Sequence, residues 1–235
     1  MLTSAWLDTK EGLHYIFAVS YYARLRFIVN FLPLLENATN LRRVVTVVAG
    51  TKEGQVYVDD LQCRHHSLFS PGTRGHVTSM TTLSLEAIAR KAPSVSFVHN
   101  YPGFVKTSLG SDLKGPIPTI FRAVFEAVFL LIGRFIETPL DESGERHVFF
   151  ATSARFPAKV NTDAADGVAL PEGVAVARGT DGQAGSGVYS ISNDGESAPP
   201  KVEHLLETLR KDGAAQKVWA NVEEEFIRIT GAPSM

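Results

Sequence analysis

Three side chains in this sequence could carry acid–base chemistry: His76, His99 and Tyr101. An unperturbed imidazole titrates near pH ~6.5, so histidine is the usual general acid or base around neutrality, and a tyrosine phenol can fill the same role. His76 stands with Thr78 and Ser79 in a helix-forming stretch, whereas His99 and Tyr101 stand where an apolar run gives out. Spacing pairs neither histidine with an orienting group, and a satisfied core or rim histidine is the commoner role at such positions. A second cluster, Cys63, His65 and His66 with Asp59 and Asp60 just upstream, has metal-ligand residue types. Zinc ligands usually arrive as two separated pairs, so this compact group reads as a polar surface loop and no metal is expected.

These residues need elements to position them. The run from Val95 to Thr107, VSFVHNYPGFVKT, is an apolar strand that stops at Pro102 and Gly103. In an open α/β sheet the carboxyl ends of the strands border the ligand crevice, so this turn marks a rim. The blander reading is that Pro102-Gly103 only ends the strand and Thr107 caps the next turn.

Upstream, Asp8 to Glu11 resembles a capping box, and apolar residues recur at Leu13, Ile16, Phe17, Tyr21, Leu25, Ile28, Val29 and Leu32, which predicts a long amphipathic helix. Arg43 to Ala49 is a β-branched run of the kind found in parallel strands covered on both faces. Thr51 to Gly75 reads as a loop with a short strand at Gln55 to Val58, and Thr78 to Arg90 as a crossover helix leading into the strand Ser94 to His99. Helices are expected at 117–137 and Glu142 to Ser153, and an irregular excursion at 157–187 with a short strand at Val174 to Arg178. A last strand follows at Val188 to Ile191, then two closing helices at Val202 to Lys211 and Ala214 to Thr230. Strands alternating with helices predict an α/β fold with a parallel sheet and an apolar helical C-terminal region. The chain reads as a single domain over 1–235: a core at 8–155, the excursion at 156–187, and the last strand with closing helices at 188–235.

Composition narrows the partners. A net charge of −2 over 235 residues provides no field that would gather nucleic acid. Cys63 is the only cysteine, so no internal disulfide can form and a cytoplasmic location is expected. The apolar stretch 117–136 is interrupted by Arg122, Glu126 and Arg134, and so reads as a helix buried on the sheet or at a subunit interface, or else as a lid or membrane-surface helix, rather than a membrane span.

In order, these pieces resemble the C-terminal half of a short-chain dehydrogenase/reductase, well over 8–155 and loosely over 187–230. Asn100-Tyr101-Pro102-Gly103-Phe104-Val105-Lys106-Thr107 is similar to that family's Pro-Gly-x-Val-x-Thr turn, and Arg43 to Gly50 resembles its fifth strand. The wording of Glu142 to Arg146 and of Gly187 to Ser190 is most similar to the dehydrogenases of fungal secondary-metabolite clusters. The resemblance implies a truncated Rossmann-like, doubly wound parallel sheet, and places Pro102, Gly103 and Thr107 beside a nicotinamide.

The family's chemistry is not matched residue for residue. It relies on a Tyr, a Lys four residues on, and a carbonyl-polarising Ser; yet Arg64 to Thr82, RHHSLFSPGTRGHVTSMTT, holds neither Tyr nor Lys, and Val48 or Ala49 stands where the Ser is expected. Ser20 stands in place of the family's helix Asn. A dinucleotide also needs a Gly-rich turn opening a helix, whereas the one glycine cluster, Gly179-x-x-Gly182-x-x-Gly185-x-Gly187, precedes a strand and reads as a flexible turn. No cofactor is therefore expected from this chain, with NADP or NAD entering only if the family's role is retained. The expected function is a non-redox tailoring step (isomerisation, dehydration or cyclisation) on a small apolar metabolite. A nicotinamide-dependent oxidoreductase and a non-catalytic partner subunit are the alternatives. If the first four strands of the family fold are absent, the Arg43 strand becomes a sheet edge, and a homo-oligomer covering it is expected.

Overall fold

The computed structural model describes residues 8–66, 70–105, 137–160 and 167–232. Three parallel strands, β1 (Arg43–Val47), β2 (Ser96–Asn100) and β3 (Val188–Ile191), pair in the order β1-β2-β3. Val45 lies opposite Val98, and Val98 opposite Tyr189. The chain is thus α/β with a parallel sheet, as expected of a truncated Rossmann-like fold. Because neighbouring residues of a strand face opposite ways, Phe97 enters one core layer and Val98 the other.

The first layer is helical. The N-terminal run consists of α1 (Tyr15–Phe17), a π-helical turn (Ala18–Tyr22) and α2 (Ala23–Glu36). The wider turn carries an extra residue, so Phe17, Tyr21, Tyr22 and Leu25 are all buried on one side. The Tyr22 hydroxyl donates to Asn221 Oδ1 at 2.6 Å, tying this run to the last helix. Helix α3 (Pro71–Lys91) crosses between β1 and β2, and α6 (Ala214–Thr230) packs beside it through Val218, Val222 and Phe226. Helix α5 (Pro200–Lys211) adds Val202, Leu206 and Leu209. On the opposite face of the sheet, α4 (Leu140–Thr152) sets Phe150 against Phe156, Tyr189 and Ile191. The Arg43 guanidinium reaches across to donate to the carbonyls of Phe150, Ser153 and Phe156, clamping the end of α4 to β1.

Several expectations need correction. Helix α3 starts at Pro71 rather than near Thr78, because proline suits the first turn and Ser70 Oγ accepts the Thr73 N–H at 3.1 Å. Gln55 to Val58 forms no strand: Gly54 N–H goes to Gly75 O and Tyr57 N–H to His76 Nδ1, so the segment bonds to α3 instead of to a sheet. Val174 to Arg178 forms no strand and pairs only through an isolated bridge from Arg178 to Ala184. Strand β1 is half-exposed, with Thr46 its one buried residue, whereas all five residues of β2 are buried. The β-branched composition of β1 promised cover on both sides, but the strand lies at the edge of the described sheet. The helix expected at 117–137 falls almost entirely, and Thr107 entirely, outside the described residues. Among the described residues no helix is long and apolar enough to cross a membrane.

The backbone after β1 passes so close to β2 that glycine is required there. A Cβ on Gly50 would sit 2.1 Å from the His99 carbonyl oxygen and 3.0 Å from that of Ile191. Gly50→Ala should therefore displace this loop and cost several kcal/mol, roughly the upper range for single substitutions. Chemical denaturation should show a loss well beyond that of Gly144→Ala, where a Cβ meets nothing within 4 Å.

Candidate active site at the carboxyl rim of the sheet

Three parallel strands end on the same side, and the loops leaving them meet there. Val48 N–H continues the ladder to Asn100 O, after which Gly50 and Thr51 turn the chain inward; Thr51 has φ 70. The Thr51 N–H donates to Ser190 Oγ at 2.6 Å. Glu53 then points beneath the loop, where its Oε1 accepts from Thr82 Oγ1 at 2.8 Å and from Ser190 Oγ at 2.6 Å. Thr82 Oγ1 also lies 2.9 Å from His99 Nδ1, and Ala49 N–H points at His99 Nε2 from 3.3 Å.

The donors fix the proton positions. His99 Nε2 accepts a backbone N–H, so the ring proton sits on Nδ1 and is given to Thr82, whose own proton goes to Glu53. His99 is fully buried; burial, assisted by the charge of Arg24, holds its pKa down at about 3. Burial pushes the Glu53 carboxyl upward, against the opposing pull of the Ser190 and Thr82 hydroxyls. The imidazole is therefore neutral and its lone pair is taken. This network holds the 49–54 loop over the strand ends.

His76 is also fully buried and committed. Its Nδ1 accepts the Tyr57 N–H at 3.0 Å and its Nε2 donates to Leu61 O at 3.1 Å, while burial lowers its pKa. Tyr57 stacks on His76 with ring centroids 5.0 Å apart, and His66 stacks on Tyr57 at 3.9 Å. Asp60 accepts from the Arg64 and His65 amides and from His66 Nδ1, which closes the polar turn. Cys63 is turned inward, and burial raises its thiol pKa to about 12.

Tyr101, in contrast, is half-buried at the rim. Lys52 Nζ lies 5.3 Å from its ring centre and the Arg74 guanidinium 5.2 Å, one from the loop after β1 and the other from α3. Pro102 and Gly103 follow; Gly103 has φ 81, and a Cβ there would fall 2.9 Å from Thr138 Oγ1 and 3.0 Å from Asn193 Nδ2. The structure thus brings Tyr101, Pro102 and Gly103 to one rim, buries His99 under the turn after β1, and engages His76 separately with Tyr57 and Leu61. Sequence reasoning missed Lys52, Arg74, Glu53 and Ser190. The available signal was position, since Lys52-Glu53 immediately follows a Gly-Thr turn at a strand end. Two cations from separate elements thus lie against one phenol ring whose hydroxyl can donate a proton.

No family model matches the chain. It is 37% identical over 220 residues to Oxidoreductase AN1596 of Emericella nidulans, covering 92% of this chain and 62% of that protein. It is 35% identical over 227 residues to Oxidoreductase andH of Emericella variicolor, covering 96% and 64%. Short-chain dehydrogenase/reductase SAT2 of Stachybotrys chartarum is 29% identical over 223 residues, covering 90% and 58%. The chain is thus similar to fungal oxidoreductases, one of them named as a short-chain dehydrogenase/reductase. It spans about three fifths of the length of these curated relatives. A nicotinamide dinucleotide is the cofactor such a fold implies, and the described residues fit it only in part. Pro102 and Gly103 offer a tight rim, but no Gly-rich turn opens a helix there; the Gly179 to Gly187 cluster precedes β3, at the opposite end of the sheet. The described residues do not form a pyrophosphate cradle.

Two substitutions test the buried network. Thr82→Val removes the hydroxyl between Glu53 and the His99 N–H and should cost about 1–3 kcal/mol in urea unfolding. Glu53→Gln should flatten the pH dependence. With its folded pKa raised, Glu53 binds its proton more tightly in the native state, so wild-type stability falls as pH climbs from the unfolded carboxyl value, about 4.3, through the folded one. The gap between wild type and Glu53→Gln should shift across that window; parallel curves would exclude an ionising role for this carboxyl.

Proposed function

We propose that the protein is an oxidoreductase acting on a small, largely apolar metabolite in fungal secondary metabolism, with this chain forming the substrate side of the crevice. One observation carries the reading: Tyr101 stands between Lys52 and Arg74 at the carboxyl rim of the parallel sheet. In this role the phenol donates a proton to a substrate carbonyl oxygen, and the two cations against its ring hold it in place at the rim. Exposed Phe104 and the Pro102-Gly103 turn give the substrate an apolar seat. The kinship with oxidoreductases supports the redox assignment.

A second reading is favoured by the contents of α3. Where the family resemblance expects a Tyr and a Lys, this helix offers Thr78, Ser79 and Thr82, and Ser79 and Thr82 bind the 53–54 loop. On that reading Tyr101 catalyses a non-redox isomerisation, dehydration or cyclisation by the same proton transfer, with no nicotinamide.

The deciding experiment titrates the full-length protein with NADPH and NADH and follows turnover of a panel of apolar ketones. Nicotinamide binding with turnover, and a Tyr101→Phe variant that binds equally but turns over about 10²–10⁴-fold more slowly, supports the redox reading. Turnover without nicotinamide affinity supports the second. Full activity in Tyr101→Phe overturns both.

The same proposal includes a homo-oligomer in the cytoplasm. Phe27, Phe31 and Leu34 of α2 are more than half exposed; Phe27 and Phe31 stack at 6.3 Å, and Arg24 of the same helix reaches the Val47 carbonyl on the β1 edge. A second copy covering this strip would remove it from water. Light scattering should give a dimer mass for the wild type and a monomer for Phe31→Glu; a wild-type monomer refutes it.

A further inference from the structure

A separate cavity of about 340 Å³ opens at the amino end of the sheet, away from the Tyr101 rim. It lies between the C-terminal half of α3, the loop before β3, and Lys159 with Val160. Its volume is at the small end of the range of roughly 300–1,000 Å³ typical of small-molecule sites.

The glycine cluster shapes one wall. A Cβ on Gly179 would sit 1.9 Å from Ser186 Oγ and 2.7 Å from Val188 O, while Gly182, Gly185 and Gly187 take φ values of 81, 73 and 91. These glycines fold the loop tightly, so that Thr180 and Ser186 line the cavity. At Gly187 a Cβ would fall 2.9 Å from the Lys159 backbone nitrogen, so glycine lets that segment approach and brings Lys159 to the site. The cluster therefore acts as a built wall where the sequence suggested a flexible turn.

The lining mixes charged and apolar side chains. Arg210 is engaged by the buried Glu86, at 2.8 Å. Asp181 is exposed and accepts the Gln183 N–H within its own turn. Arg90 and Lys159 remain; among the described residues neither forms an ion pair, although the Arg90 charge also acts on the buried Glu86. Ala89, Pro93 and Val188 supply an apolar floor. A cavity lined by both cations and hydrocarbon matches a molecule that carries an acid group and an apolar body.

We propose that this cavity binds a small amphipathic carboxylate, with its acid group between Arg90 and Lys159 and its hydrocarbon body against Ala89, Pro93 and Val188. No carboxylate is transformed there; the site is for binding, distinct from the chemistry at Tyr101.

The test is calorimetric titration of the full chain with octanoate and, separately, with octanamide, its neutral counterpart. One-to-one octanoate binding about tenfold tighter than octanamide is expected, the order of a charge-assisted contact. Arg90→Gln and Lys159→Gln should each remove most of that preference, whereas Lys52→Gln at the other end of the sheet should leave it intact. Lys159 is exposed, so its variant should fold even if Arg90→Gln does not, and thermal melts report folding for both. Equal affinity for acid and amide, no binding of octanoate, insensitivity to Lys159→Gln, or a loss caused by Lys52→Gln would each overturn the proposal.

Discussion

A carboxylate removed from water organises the carboxyl end of the sheet. Glu53 lies under the loop that leaves β1, and it can stay there only because Thr82 from α3 and Ser190 from β3 both donate to it. Burying an acid without such donors would cost several kcal/mol. The same contacts set the course of the chain: Ser190 also accepts the Thr51 N–H, Thr82 also holds the His99 ring, and Gly50 passes over the His99 carbonyl. Loop, helix and two strands are thereby locked in one arrangement. Lys52, one residue before Glu53, is brought beside Tyr101 as a result.

This gives the two buried histidines a role different from the one their residue type suggests. An imidazole whose nitrogens are both occupied by backbone or hydroxyl partners, and whose protonated form is disfavoured by burial, acts as a strut. His76 joins α3 to the 57–61 loop, and His99 joins β2 to the turn after β1. The rim is left to residues from three separate elements, each held by this polar framework. Its charge is local: two cations beside one phenol, in a chain with net charge −2.

Much of the architecture was legible in the sequence. The β-branched run at Arg43, the strand before Pro102, the closing helices and the parallel order all follow from period and punctuation, and the Tyr-Pro-Gly turn carried the kinship. What misled was hydrogen-bond destination. Gln55 to Val58 has strand-forming residues, but its Tyr57 amide goes to His76 of a helix; the start of α3 was hidden by the glycines at 72 and 75, which lower helix propensity yet permit close packing, as where Gly75 meets Gly54.

By itself the sequence determined the α/β class, the positions of most elements and the place of a rim at Pro102-Gly103, because those depend on local periodicity and on residues with restricted backbones. The tertiary structure alone decided which polar groups face water. His76 and His99 differ little from Tyr101 in the sequence as proton carriers; only packing takes the first two out of solvent and sets the third between Lys52 and Arg74. Those contacts join residues some 27 to 49 positions apart, a separation that no short-range pattern encodes.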